Sequence, residues 1–155
     1  LSLLEENYRG KSIKTKNYAL SKQEFSIPSN VYFIGMMNDV DKSIDCFDLA
    51  LRRRFTWVLM ECDYETLNNI EANNKGYKEK CKNLNKHIVS SENNGLNLGR
   101  AYEIGHSYFL KKETMSEQQI WDRHIEPILR EYIRTQFGDG EVEKKLKMAK
   151  KIFVG

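Results

Sequence analysis

No apolar run in this chain approaches the roughly 20 residues a membrane helix requires, so its 40% hydrophobic content excludes a helical span. No positively charged segment followed by an apolar one opens it, so nothing suggests secretion and the expected location is cytoplasmic. Cysteine is scarce. Cys46, Cys62 and Cys81 are odd in number and lack metal-ligand spacing, which argues against a disulfide framework or a zinc site and leaves reduced thiols, with no metal expected. Charge of one sign is missing as well. The formal net charge is +3, and residues 141–155 carry all of it with five lysines against two glutamates, so no broad basic face for DNA is visible.

A phosphate-binding loop is also absent. It needs Gly-x-x-x-x-Gly-Lys-Ser/Thr between a strand and a helix, so that backbone N–H groups and the lysine surround the phosphates. Gly10-Lys11-Ser12 imitates its end, but Glu5 stands where the first glycine belongs, and Ile13–Leu20 alternates instead of opening a helix. Trp57-Val58-Leu59-Met60-Glu61 imitates a magnesium-holding strand, yet it follows the arginines of the chain rather than preceding them. No Ser/His/Asp or Cys/His set and no paired-carboxylate signal competes.

What is present is concentrated in residues 31–60. Val31–Met37 is apolar without alternation, as in a parallel strand covered on both faces, and Asn38 stands where that strand would leave the core. Ser43 can cap a helix with Ile44, Phe47, Ala50 and Leu51 on one face, and Phe55–Met60 offers a second apolar strand. The pattern predicts a βαβ unit, whose carboxyl edge is where open α/β sheets bind ligands.

Met37-Asn38, the acidic turn with Asp41-Lys42-Ser43, and Asp48-Leu49-Ala50-Leu51-Arg52-Arg53-Arg54-Phe55 together resemble the sensor-1 to arginine-finger segment of AAA+ ring NTPases. Ile104-Gly105-His106-Ser107-Tyr108-Phe109 and Ile125-Glu126-Pro127-Ile128-Leu129-Arg130-Glu131-Tyr132 resemble the helical lid of the McrB-type GTPase motors of modified-cytosine restriction systems. The matches touch most of residues 25–137. The fold this implies is an α/β remnant of a P-loop AAA+ core over residues 1–62, followed by an all-helical lid over 63–155.

The resemblance implies roles for several residues. Asn38 becomes the sensor-1 amide, which positions water and stabilises charge during phosphoryl transfer. Arg53 and Arg54 become fingers that cross a ring interface, since a planar, permanently charged guanidinium suits that transition state. Cations at a helix C-terminus are favoured by the macrodipole in any case, and Arg52 is left to that account and to an i,i+4 pair with Asp48. Asp41 is a candidate nucleotide contact that could equally serve the helix cap at Ser43. His106, near the lid hinge, is a candidate nucleotide contact or a hydrogen-bonded packing residue, and Arg100 could reach phosphate or lie solvated.

By the same resemblance the complete parent takes GTP or ATP with magnesium, and none is expected to bind this chain tightly. The turn Asp39-Val40-Asp41-Lys42-Ser43 departs from the family's usual Thr-Ala-Asp-Arg-Ser, so the base preference stays open. Implied partners are a homo-oligomeric ring, a hexamer, together with a nuclease subunit and DNA held by an N-terminal domain not contained here. Two other functions fit the same residues: a AAA+ ATPase for protein remodelling, and a non-catalytic interaction module derived from a AAA+ domain.

The helical half follows from periodicity. Asp63 is expected to cap a short helix with Leu67 and Ile70. Tyr77, Cys81, Leu84, Ile88 and Val89 mark a face of the next helix, before a polar loop from Ser90 to Gly99. Ser116-Glu117-Gln118-Gln119 has capping-box form, and Trp121, Ile125, Ile128, Leu129, Tyr132 and Ile133 form one stripe. Pro127 should start a helix or kink a longer one, and Gly138 should end it. Val142, Leu146, Ala149 and Phe153 then line a last, lysine-rich helix.

Overall fold

The computed structural model describes residues 2–37, 40 and 52–155. They fall into two compact units, Leu1–Val58 and Leu59–Gly155.

The first unit is sparsely ordered among its described residues. Single 3-10 turns span Ser2–Leu4 and Glu6–Tyr8, and a one-turn helix, α1, spans Tyr18–Ser21. Around α1 the chain doubles back as the outline of a hairpin. Ile13 and Phe25 exchange both backbone hydrogen bonds (2.8 and 2.9 Å) as an isolated antiparallel bridge, and Gly10 donates to the Ile27 carbonyl at 2.8 Å. Its apolar residues bury little: Phe25 is 52% and Leu20 89% exposed.

The described residues contain no β-strand, so the expected βαβ unit is not formed among them. Val31–Met37 and Thr56–Met60 have no regular structure, and Ile34 and Met36 are 95% and 98% exposed. The physical reason is that a central parallel strand is stable only with ladder partners beside it and layers over both faces, and the described residues supply none. The crossover helix expected from Ser43, with Ile44, Phe47, Ala50 and Leu51, lies outside the described residues.

The second unit is helical. After a 3-10 turn at Glu65–Leu67 come α2 (Asn68–Asn73) and α3 (Tyr77–Val89). Short helices α4 (His106–Phe109) and α5 (Glu117–Ile120) follow, then the long α6 (Glu126–Phe137) and α7 (Asp139–Phe153). Asp63 Oδ1 accepts the Glu65 amide at 2.9 Å and so opens the first turn. Glu71 caps α3 from the preceding helix, accepting the Gly76 and Lys78 amides at 2.6 and 2.7 Å. Those two bonds hold its carboxyl below the usual range. The capping box at Ser116 is complete in both directions, with Gln119 as its partner.

Pro127 leaves a specific mark. Between α5 and α6 the chain makes one wide π-turn, Trp121–Ile125, so the two helices run on without a break. Proline has no N–H for the i→i−4 ladder and its ring crowds the preceding turn; a π-bulge absorbs both defects at the cost of one extra residue per turn.

The apolar stripes meet around α7, which packs along α3 and α6. Phe153 sits fully buried at the centre, with ring centroids 5.9 Å from Phe109, 6.0 Å from Tyr77 and 6.5 Å from Trp121. Each such side chain contributes roughly 1.5–3 kcal/mol through the area it removes from water. Their polar handles are satisfied: Tyr77 Oη donates to the Phe109 carbonyl at 2.8 Å and Trp121 Nε1 to Glu126 at 3.0 Å. Gly138, with φ of 77°, makes the turn from α6 into α7 in a conformation other residues avoid.

Candidate functional site

A continuous polar arrangement among the described residues lies where the helical unit begins. Four successive residues, Glu61–Tyr64, run beside the segment Arg100–His106, and each is tied to the body of the unit. Glu61 pairs with Arg100 at 2.9 Å. The Glu103 carboxylate lies against the Cys62 amide. Asp63 donates its backbone N–H to His106 Nδ1 at 3.1 Å. Tyr64 Oη accepts from Asn85 Nδ2 at 2.9 Å.

Asn85 is the keystone. It is 1% exposed on α3, and besides Tyr64 it takes both polar groups of Ile104, accepting its N–H at 2.8 Å and donating to its carbonyl at 3.0 Å. Segment 100–106 has only one 3-10 turn, Arg100–Tyr102, so its buried backbone depends on this side chain for partners. Gly105 then leads into α4, whose first residue is His106.

Burial dominates the electrostatics. The Glu103 carboxyl is raised by burial first and by the Glu61 charge second, against the opposing pull of the Cys62 amide and Arg100. Burial pushes the Cys62 thiol up to about 11 and the Tyr64 phenol up as well. The Cys62 thiol and the Tyr64 phenol are therefore protonated near pH 7, and neither is activated as a nucleophile. A shallow cavity of 330 Å³ opens on the same residues, with Lys82, Lys86 and Ser90 along its other wall. Its rim is mixed in charge, and Arg100 is already engaged by Glu61.

The candidates raised from the sequence are distributed unevenly. Asn38 and Asp41 lie outside the described residues. Arg53 is exposed in a turn, and Arg54 pairs with Glu5 through Nη2 at 2.7 Å and Nε at 2.8 Å. The Arg52 guanidinium stands over Trp57, 5.7 Å from the ring, while its carbonyl accepts the indole N–H at 2.9 Å. His106 belongs to the other unit, where its Nδ1 is occupied by the Asp63 amide. Asn85, Tyr64, Glu103 and Glu61 were not anticipated. The signal for Asn85 was available: it falls four residues after Cys81, on the apolar stripe of α3, where a polar residue needs a buried partner.

Magnesium and a nucleotide phosphate do not fit the described residues. No group of three or more His, Cys, Asp or Glu side chains among them could hold a metal. Gly10-Lys11-Ser12 runs into the Ile13–Phe25 bridge instead of opening a helix, so no row of N–H groups points at an anion there. No helix among the described residues is long and apolar enough to cross a membrane.

Comparison with known proteins agrees with this helical architecture. Residues 77–139 match the family model of the McrB alpha-helical lid domain. Over 147 aligned positions, 85% of this chain, the sequence is 31% identical to the Type IV methyl-directed restriction enzyme EcoKMcrB subunit of Escherichia coli (strain K12). The chain spans about a third, 32%, of that relative's length. The chain is of the McrB type, and its residues 77–139 are an McrB alpha-helical lid.

Proposed function

We propose that this chain supplies the lid and part of the α/β core of a ring-forming AAA+ NTPase motor that serves a methyl-directed DNA restriction complex. The observation that carries the reading is the McrB lid itself: a family match over residues 77–139, which lie in a helical unit with a single aromatic core. The methyl-directed restriction activity in the relative's name supports the assignment to a restriction complex. Residues 1–62 are read as core and 63–155 as lid. The exposed apolar segments Val31–Met36 and Trp57–Met60 then become central strands whose neighbours lie in the remainder of the protein.

In this reading Asn38 positions the attacking water, and Arg53 and Arg54 reach a neighbouring subunit's nucleotide, GTP by family and ATP as the alternative. Asp41 and His106 border the nucleotide side of the lid hinge. Nucleotide capture and magnesium binding belong to residues outside those described, a nuclease subunit acts as partner, and DNA is recognised elsewhere in the protein.

The test is subunit mixing in the complete protein. An arginine finger typically contributes about 10³ to 10⁵ in rate. Arg53→Ala should therefore remove most hydrolysis while leaving nucleotide affinity intact. Mixed with subunits whose phosphate loop is inactivated, it should regain part of the lost turnover, because each partner supplies what the other lacks. Normal activity in Arg53→Ala, or mixed rings that assemble and stay inactive, would refute the finger.

A further inference from the structure

We propose that the outward face of α7, which carries Lys144, Lys147 and Lys151, holds the phosphate backbone of double-helical DNA without reading its sequence. The charge layout of the helix carries the binding face, and only the choice of DNA among polyanions rests on the function proposed above.

α7 divides in charge along its length. Its acids, Asp139, Glu141 and Glu143, stand at its start, and residues 144–153 carry five lysines and no carboxylate. Two of those lysines are occupied: Lys150 pairs with Asp122 at 3.4 Å, and Lys145 stands 4.0 Å from the centre of the Phe137 ring. Lys144, Lys147 and Lys151 are exposed and have no hydrogen bond or ion pair among the described residues. Elsewhere in the unit Lys78, Lys80, Lys86 and Lys112 each reach a carboxylate. At about 100° per residue the three free lysines fall together, on the side opposite the buried Val142, Leu146, Ala149 and Phe153.

Helix electrostatics accounts for one of the three. The macrodipole favours a cation in the last turn, where Lys151 stands, and fades before Lys147 and Lys144. The surroundings select the occupant. No large apolar side chain of α7 is exposed, so the face offers nothing for a folded protein partner to bury at the centre of an interface and nothing to insert among lipid chains. A DNA backbone needs neither, because ammonium groups displace its condensed counterions and the release of those ions drives binding. The helix rises roughly 10 Å from Lys144 to Lys151, and a duplex presents one phosphate charge about every 1.7 Å of its axis, so each lysine meets a phosphate along that span. Such contacts fix position and carry no sequence information, which leaves recognition to other parts of the protein.

Fluorescence anisotropy of a short mixed-sequence DNA duplex, titrated with this chain at several salt concentrations, tests the face. It needs no nucleotide, so its outcome is independent of the subunit-mixing test of the motor. The duplex should bind at low salt. Lys144→Gln, Lys147→Gln and Lys151→Gln together should weaken that binding at least about tenfold and reduce the slope of log K against log salt by about 2–3, since each lost phosphate contact removes about 0.9. A control chain with Lys14→Gln, Lys16→Gln and Lys75→Gln has the same net charge and should bind like the parent, which separates the face from bulk charge. All six lysines are exposed, so neither set of substitutions disturbs the core. A parent chain that leaves the duplex free at low salt, an equal loss in the control, or an unchanged salt slope would overturn the proposal. So would polyglutamate bound as tightly as the duplex, which would make the face a site for an acidic protein segment instead.

Discussion

One carboxamide, that of Asn85, satisfies both backbone groups of Ile104, accepting the N–H at 2.8 Å and donating to the carbonyl at 3.0 Å. Peptide groups of a loop pressed into a core have no water to fall back on, and a helix-borne side chain does here what a neighbouring strand does in a sheet. The loop that presents His106 is therefore fixed from α3 and not by its own conformation.

Asn85→Leu should destabilise the helical unit by about 2–4 kcal/mol, because it strands two buried backbone groups at once. Asn85→Asp keeps one acceptor but loses the donor to Ile104 and Tyr64, and its buried charge should bring a comparable loss at neutral pH. Urea titration followed by helical circular dichroism measures both, and a loss under 1 kcal/mol for Asn85→Leu would show that the loop does not depend on the carboxamide.

Gly95 tests close packing instead of backbone torsion. A Cβ there would meet the Ser90 carbonyl oxygen at 1.9 Å and the His87 carbonyl oxygen at 2.8 Å, both rigid backbone. Gly95→Ala must push the loop off the end of α3 and break the Leu96 amide bond to the His87 carbonyl, now 2.7 Å. The expected cost is about 1–3 kcal/mol of overpacking, together with faster exchange at the Leu96 amide. An unchanged melting temperature would contradict it.

His87 sets an acid limit. It is buried, its Nε2 has no hydrogen-bond partner among the described residues, and burial first, then Lys145, lowers its pKa from 6.5. As pH falls through 6.5 the unfolded chain takes up a proton that the folded chain resists, so stability drops from there down to the folded pKa; above 6.5 this residue adds no pH dependence. His87→Leu should flatten the stability profile between pH 6.5 and 5, measured by urea midpoints. A slope equal to that of the parent chain would assign the acid sensitivity to other groups.

The thiols should report on folding. Burial, the largest cause, pushes Cys81 up to about 12 and Cys62 to about 11, so neither offers appreciable thiolate at pH 8. Cys81, fully buried, should resist alkylation in the native chain and react only on unfolding, while half-buried Cys62 reacts slowly. Mass spectrometry of peptides after timed iodoacetamide treatment distinguishes the two. Modification of native Cys81 at the unfolded rate would mean that α3 opens freely.

Arg54 and Arg53 should separate in the complete protein. Arg54 is held by Glu5 at 2.7 Å with 18% of its side chain exposed, whereas Arg53 is exposed in its turn. Glu5→Gln should then lower the thermal stability of the first unit and release Arg54 from this pair with turnover retained, whereas Arg53→Ala should lower turnover and leave that stability unchanged. Loss of turnover without loss of stability in Glu5→Gln would mean that the ion pair itself positions Arg54.

The sequence by itself determined the helical half. Tyr77, Cys81, Leu84 and Ile88, then Trp121, Ile125, Leu129 and Ile133, then Val142, Leu146, Ala149 and Phe153 fall at helical spacing and are all buried. The capping box at Ser116, the turn at Gly138 and the disturbance before Pro127 were legible for the same reason: each depends on residues within about one helical turn of one another. The tertiary structure alone decided three other matters. Asn85 faces Ile104, 19 residues away, a pairing that no local period encodes. The imidazole of His106 accepts the Asp63 backbone N–H through Nδ1 across 43 residues of sequence, a contact that local spacing does not encode. Val31–Met37 reads as a buried strand from its composition, yet strand formation requires ladder partners and covering layers. Those come from elsewhere in a chain, and apolar residues without them remain exposed.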